Sequence, residues 1–340
     1  MVGYRQRVPT LAQARPETAP AGVLGTIGNT PLVPLDRWRD AFGGPLVHLK
    51  LEGTNPGGSA KDRPAAAMVA DAVERGAVDA GGTVVESSSG NMGIGLAQAC
   101  RYFGLNLVCV VDHRSSAEKI ATMRALGAEV EVITEPAPGR DLLATRIDRV
   151  AALCERIPGA WWPNQYENPS NPASHQRGTA REIHEALDRD PDYLLVATST
   201  TGTLAGCRRY LDEIGAATEL VAVDAAGSAL FGGRRGRRRL PGLGAGVETA
   251  ISATVAPDQL VRIGDLESVV GCRQLVAHEA IFAGASTGAV MAAAREIAPR
   301  IDADAVVAAI SPDGGTSYLD TVYDDIWVEA ELGLSSEDLA

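Results

Sequence analysis

Lys61 stands in the run NPGGSAKDR, residues 55–63. Gly57 and Gly58 let the chain turn tightly, Ser59 or Asp62 can cap a following helix, and the lysine then falls at or near that helix's first turn. A cation is out of place there, because a helix N-terminus already carries partial positive charge. A lysine with a lowered pKa, or one consumed in an imine, resolves the conflict; an exposed loop lysine is the plain alternative. Two more runs have the makings of an anion seat: ESSSGNMG at 86–93 and STTGT at 199–203. Each follows a strand-like run and opens a helix-like one, so small residues leave backbone N–H groups at a positive helix end. A carboxylate suits the first as well as a phosphate does, and the hydroxyls of the second suit a phosphate. The second lacks the lysine of a P-loop, which disfavours a nucleotide triphosphatase. Each run alone also reads as an ordinary polar turn; three such loops and a lysine in one chain carry more weight.

These loops need strands and helices to hold them. Short β-rich apolar runs at 47–52, 83–86, 105–111, 130–133, 193–198, 220–224 and 305–311 alternate with longer helical stretches. Several of the runs are almost continuously apolar, as strands buried on both faces of a parallel sheet are. In the stretch 93–103, Leu96, Cys100 and Phe103 recur at helical spacing. The alternation predicts a doubly wound α/β architecture. The Pro- and Asn-rich run 155–172 reads as an irregular crossing between two lobes. No internal repeat is present.

The chain's 340 residues suggest about two domains, and 45% hydrophobic with 22% charged residues excludes a disordered chain. Thirty-one basic against 43 acidic residues give a net charge of −12, which argues against nucleic acid as a partner. No apolar run approaches the ~20 residues of a membrane span, and the first residues have no apolar signal core. A soluble, cytoplasmic protein with no membrane partner is the expectation. Five scattered cysteines without a CxxC pair, and five histidines without ligand spacing, argue against a disulfide framework or a metal site. Cys100 and Cys109, in apolar runs, are read as core packing.

In order, IGNTP (27–31), NPGGSAKDR, SSGNMGIGLA (88–97), STTGT and GASTGA (284–289) resemble the cysteine synthase/cystathionine β-synthase group of fold-type-II pyridoxal 5′-phosphate (PLP) enzymes. The resemblance covers roughly residues 22 to 325. It implies two α/β lobes, each a mostly parallel sheet flanked by helices. A small carboxylate-binding lobe at 49–160 would be inserted into a large PLP-phosphate-binding lobe formed by 1–48 and 161–340. It also implies a homodimer. Carried over by residue, Lys61 matches the lysine that binds PLP as an imine, and Asn91 the asparagine beside the cofactor's ring oxygen. Ser199, Thr200, Thr201, Gly202 and Thr203 match the phosphate loop, and Ser286 the serine facing the pyridine nitrogen. Ser88, Ser89, Gly90, Asn91 and Met92 match the loop that closes on the substrate carboxylate.

The chemistry this implies is β-replacement. PLP is the electron sink, Lys61 becomes the base on the Cα proton once displaced, and a serine beside the pyridine nitrogen weakens the sink, favouring loss of a β-leaving group. A nucleophile then attacks the α-aminoacrylate. SGNMG in place of SGNTG, STTGT in place of GTGGT, and SYLDTVY at 317–323 look most like the branch that makes 2,3-diaminopropionate precursors in siderophore and peptide-antibiotic pathways. That branch takes O-phospho-L-serine, expels phosphate and adds the amine of L-glutamate. The rival within enzymes is a cysteine synthase using O-acetyl- or O-phosphoserine with sulfide; the rival outside them is a catalytically silent amino-acid- or partner-binding relative.

RRGRRR at 234–239 precedes LPGLGAG, which matches a family segment at the active-site mouth. Arg237, Arg238 and Arg239 are candidates for attracting anionic substrates, against the alternative of a solvated loop. Tyr166, in the run NQY, is a candidate substrate contact; His175 and Thr179 are read as structural helix residues.

Overall fold

The structure, a computed structural model, describes residues 22–333. Nine strands and eleven α-helices alternate along them. In chain order they are β1 (Leu32–Pro34), α1 (Asp36–Phe42), β2 (Val47–Leu51), α2 (Asp62–Glu74), β3 (Thr83–Ser87), α3 (Asn91–Phe103), β4 (Asn106–Asp112), α4 (Ala117–Ala125), β5 (Glu129–Ile133) and α5 (Leu142–Arg156). Then come α6 (Ser170–His175), α7 (Arg181–Leu187), β6 (Tyr193–Ala197), α8 (Gly202–Ile214), β7 (Glu219–Ala225), β8 (Gln259–Ile263), α9 (Asp265–Glu279), α10 (Ala285–Ile297), β9 (Val307–Ser311) and α11 (Asp325–Leu332).

The chain forms two compact units. One holds Met68–Pro163 with the described residues before Ile27; the other holds Ile27–Ala67 and the chain from Asn164 onward. The first is built on a parallel sheet, β3-β4-β5, with α3 and α4 in the connections and α5 after β5. Val85, Val108 and Val110 of this sheet bury against Val150 and Leu153 of α5. Helix α3 ends where Gly104 turns left-handed (φ 69°), closing its last turn.

The second unit carries a six-stranded sheet in the order β1-β2-β9-β6-β7-β8, parallel except for β1. Alternate residues of its central strands enter different cores. Leu195, Val221 and Val223 pack with Val290, Met291 and Ile297 of α10. Leu194, Val196, Leu220 and Ala222 pack with Leu204, Cys207 and Leu211 of α8. A strand with both faces covered must be largely apolar, which is why β7 and β9 carry the continuous apolar stretches 220–223 and 307–310. Each such Val or Leu contributes about 1.5–3 kcal/mol by leaving water.

The α/β architecture is the one the alternation predicts, and the seven expected strands are all present. Two more exist: β1, a three-residue antiparallel edge ending in Pro34, and β8. The division between units falls at 67/68 and 163/164, not at 48/49 and 160/161 as the sequence reading placed it. The reason is long-range pairing: β2 lies beside β9, so the segment that carries Lys61 stays with the larger sheet. Among the described residues no helix is long and apolar enough to cross a membrane.

Candidate active site

The lysine segment follows β2. Asn55 holds its turn together: Nδ2 donates to Glu52 O (2.9 Å), Glu52 Oε2 (3.1 Å) and Ser59 O (3.2 Å), while Oδ1 accepts from Gly28 N (2.9 Å). Gly58 supplies a positive φ of 86°. Ser59 Oγ accepts from Lys61 N at 3.1 Å, a turn contact just before α2. Asp62 reaches back instead, accepting from Gly57 N at 2.5 Å. Lys61 immediately precedes α2, as its spacing predicts.

Behind this turn lies a buried charge cluster that the sequence reading missed. Arg63 donates through Nε and Nη2 to Glu52 (2.6 and 2.8 Å) and through Nη1 and Nη2 to Glu182 of α7 (both 2.7 Å). Lys50 Nζ donates to Glu182 Oε2 (2.7 Å) and Thr30 O (2.6 Å). Burial raises the Asp62 carboxyl to about 7, helped by the charge of Glu52 and opposed by Gly57 N–H and Arg63. Burial alone would also raise Glu182, but hydrogen bonds and charge from Arg63 and Lys50 bring it down to about 2.

The second loop runs from β6 into α8. Ser199, Thr200, Thr201 and Thr203 line one cavity with Lys61, Ala60, Gly242 and Pro312. Thr201 sits in the left-handed region (φ 66°), a conformation that costs a non-glycine residue about 1–3 kcal/mol. Its surroundings hold it there: Thr201 Oγ1 donates to Thr200 O (2.5 Å), as does Thr249 Oγ1 (3.3 Å), and Asn171 Nδ2 donates to Thr200 Oγ1 (3.4 Å). Gly202 is required by close approach, since a Cβ there would lie 2.0 Å from Asn171 Oδ1. Four hydroxyl-bearing residues at the start of a 13-residue helix thus line the same cavity as Lys61. This donor set suits a phosphorylated aldehyde: a dianion for the helix end, a carbonyl for the lysine.

Ser286 is buried at the start of α10, behind the Gly284 cap; it is not among the residues lining the Lys61 cavity.

The first unit presents its own loop. Ser88 Oγ accepts from Gly93 N (3.1 Å) and Gly90 N (3.4 Å), which folds residues 88–92 over the N-terminus of α3. Ser89 Oγ accepts from Arg146 Nη1 at 3.1 Å, and Arg146 is nearly buried on α5, beside Asp112 (3.5 Å). With its oxygen occupied by a guanidinium, the Ser89 hydroxyl keeps its hydrogen to donate. Met92 is buried beneath the loop. Asn91 is the first residue of α3.

Tyr166 follows Asn164, which turns with φ 47°, and Tyr166 O accepts from Ile251 N at 3.2 Å. The arginine run divides. Arg237 Nη2 and Arg239 Nε both donate to Glu331 of α11, at 2.9 and 3.1 Å. Arg238 turns the other way: Nη1 donates to Leu243 O (2.9 Å) in the LPGLGAG loop. Burial lowers the Arg238 pKa, with Asp224 and Tyr166 close enough to act on it electrostatically. Cys100, Cys109, Cys207 and Cys272 are buried, and burial pushes each thiol up to about 12, as packing residues require.

Residues 23–313 match the pyridoxal-phosphate dependent enzyme family, and the chain belongs to that family. Its fold is the fold-type-II form of these enzymes, with PLP as cofactor. Among solved structures it is similar to an O-acetylserine dependent cystathionine beta-synthase from Helicobacter pylori (31% identity, TM-score 0.82, 89% of this chain and 98% of that one). It is similar to O-ureido-L-serine synthase (30%, TM-score 0.82, 94% and 98%). It also resembles a hydrogen sulfide-producing enzyme from Fusobacterium nucleatum (32%, TM-score 0.80, 88% and 100%).

Proposed function

We propose that this enzyme performs β-replacement on an O-substituted L-serine, taking O-phospho-L-serine and L-glutamate to N-(2-amino-2-carboxyethyl)-L-glutamate and phosphate. The observation that carries the reading is the single cavity shared by Lys61 and the hydroxyl-rich start of α8. Bound PLP supplies an electron sink at the α-carbon of an amino acid. Ser199–Thr203 would hold its phosphate and Lys61 its aldehyde carbon. Lys61 Nζ then takes the Cα proton. Asn91 and Ser286 orient the cofactor ring. Ser286 offers a hydroxyl where a carboxylate would hold a proton, which favours expulsion of the β-substituent. The substrate α-carboxylate is held by Ser88, Ser89, Gly90, Asn91 and Met92, with Arg146 behind Ser89. The Cβ–O bond would break with its electron pair leaving on phosphate, the Cβ–N bond would form from the glutamate amine with that nitrogen giving up a proton, and Lys61 Nζ would return a proton to Cα. Tyr166 and the arginine run, Arg238 above Arg237 and Arg239, serve the anionic substrates.

Likeness to enzymes named for O-acetylserine and O-ureido-L-serine supports the serine half of the reaction. The second reading is a cysteine synthase with sulfide as nucleophile; a relative named as producing hydrogen sulfide handles the same group in the opposite sense. A visible spectrum separates them. The cofactor band is expected to shift on adding O-phospho-L-serine and to return on adding L-glutamate. Return with sulfide alone gives the second reading, and no shift with any β-substituted serine opposes both.

A further inference from the structure

Two sets of contacts meet on one stretch of helix. Residues 170–187 run as α6, a π-turn at Gln176–Ala180, and α7 without a break. His175 is buried in it, and its ring nitrogens reach two threonine hydroxyls: Nδ1 to Thr179 Oγ1 (2.9 Å) and Nε2 to Thr203 Oγ1 (3.2 Å). Thr203 lies in the first turn of α8, in the loop assigned to the phosphate. Seven residues on, Glu182 binds Arg63 and Lys50.

In an unbroken α-helix, residues seven apart share a face, because seven steps of ~100° fall ~20° short of two turns. His175 and Glu182 do not serve the same neighbour. The π-turn between them holds one extra residue, which rotates the second half by roughly 100°. One rod therefore presents a ring to α8 and a carboxylate to the lysine segment.

Glycines set both approaches. A Cβ at Gly206 of α8 would lie 2.4 Å from Pro172 O and 2.6 Å from His175 Cβ, so the two helices touch backbone to backbone. A Cβ at Gly178, inside the π-turn, would lie 2.6 Å from Arg63 Nη1. Arg63 reaches Glu182 across that bare position. Its other contact, Glu52, lies at the opposite end of the loop that carries Lys61, so the loop is pinned at both ends. Burial, then the charges of Lys61 and Arg63, keep His175 neutral, so one ring nitrogen donates and the other accepts.

We propose that the 170–187 helix is a brace holding the phosphate loop and Lys61 in one register, with His175 and Glu182 as positioning residues at its two contacts. The proposal rests on the reading that Lys61 and the α8 N-terminus hold PLP.

The test uses the full-length chain stripped of cofactor. Lys61 capture is followed as the rate at which PLP becomes reducible onto the Lys61 peptide by borohydride. Phosphate-side binding is measured separately with 4′-deoxypyridoxine 5′-phosphate, which has no aldehyde. Glu182→Gln is expected to slow capture about tenfold, the loss of one charge-assisted contact, and to leave analogue affinity unchanged. His175→Ala is expected to weaken the analogue about tenfold while capture at saturating PLP persists. Wild-type capture in Glu182→Gln, or wild-type analogue affinity in His175→Ala, overturns the brace. Should Glu182→Gln not fold, Glu182→Asp keeps the charge and shortens the reach; slowed capture there supports the brace and unchanged capture overturns it. If Lys61→Ala still takes up reducible PLP at the wild-type rate, on a lysine elsewhere in the chain, the cofactor reading itself falls, a result distinct from failure of the brace.

Discussion

Arg237 and Glu331 form a surface ion pair at 2.9 Å, and Arg239 reaches the same carboxylate oxygen at 3.1 Å. Two of the three candidate arginines are thereby tied to α11, while Arg238 is turned toward Leu243 and Asp224. Arg238→Gln is expected to raise KM for O-phospho-L-serine on the order of tenfold at low ionic strength, and Arg237→Gln and Arg239→Gln by much less. The effect should shrink as salt shortens the screening length from about 10 Å at 0.1 M to about 3 Å at 1 M. Equal KM changes in all three variants would contradict this division.

Ser89 and Arg146 are expected to act as a unit. Arg146→Gln removes the donor that keeps the Ser89 hydroxyl free to donate, so each single variant should raise KM for the amino-acid substrate. In the double variant Ser89→Ala/Arg146→Gln the losses should not add. Additive losses would mean that the two side chains act independently.

The local part of the site was legible, because β-loop-α junctions write themselves in consecutive residues. The lysine turn and the seats at 88–92 and 199–203 all lie at such junctions. What escaped was long-range. Glu182 lies 119 residues from Arg63, and no spacing rule joins them. Likewise, nothing local in Val47–Leu51 tells that it pairs with Val307–Ser311, so the unit boundary was set too early. Strand β8 carries an exposed Arg262 among its apolar residues, and β1 is three residues long with a proline; neither makes a recognisable run. Arg237 and Arg239 looked equivalent to Arg238 until α11 supplied their partner.

Asp62 should make stability depend on pH. Its carboxyl rises from 3.8 in the unfolded chain to about 7 in the fold, mainly through burial. The unfolded state therefore loses its proton first, and the stabilisation present below the unfolded value disappears as pH climbs through the folded one. At ~1.4 kcal/mol per unit this amounts to a few kcal/mol lost between about pH 4 and 7. Thermal melts should show Tm falling over that range, less steeply in Asp62→Asn. Parallel profiles for the two proteins would refute the assignment.

Gly202→Ala should abolish tight PLP binding without unfolding the chain. Its Cβ would collide with the Asn171 amide that steadies Thr200, and relieving such overpacking costs about 1–3 kcal/mol. PLP titration followed by absorbance, alongside circular dichroism, reads both. Wild-type affinity would show that the loop does not hold the phosphate.

The most direct measurement is product analysis by mass spectrometry, with the PLP-loaded enzyme given O-phospho-L-serine and, in competition, L-glutamate and sulfide. The expected result is N-(2-amino-2-carboxyethyl)-L-glutamate with an equal amount of phosphate, and neither product from Lys61→Ala. Cysteine as the sole amino-acid product would contradict the assigned nucleophile, and phosphate release without either product would contradict β-replacement itself.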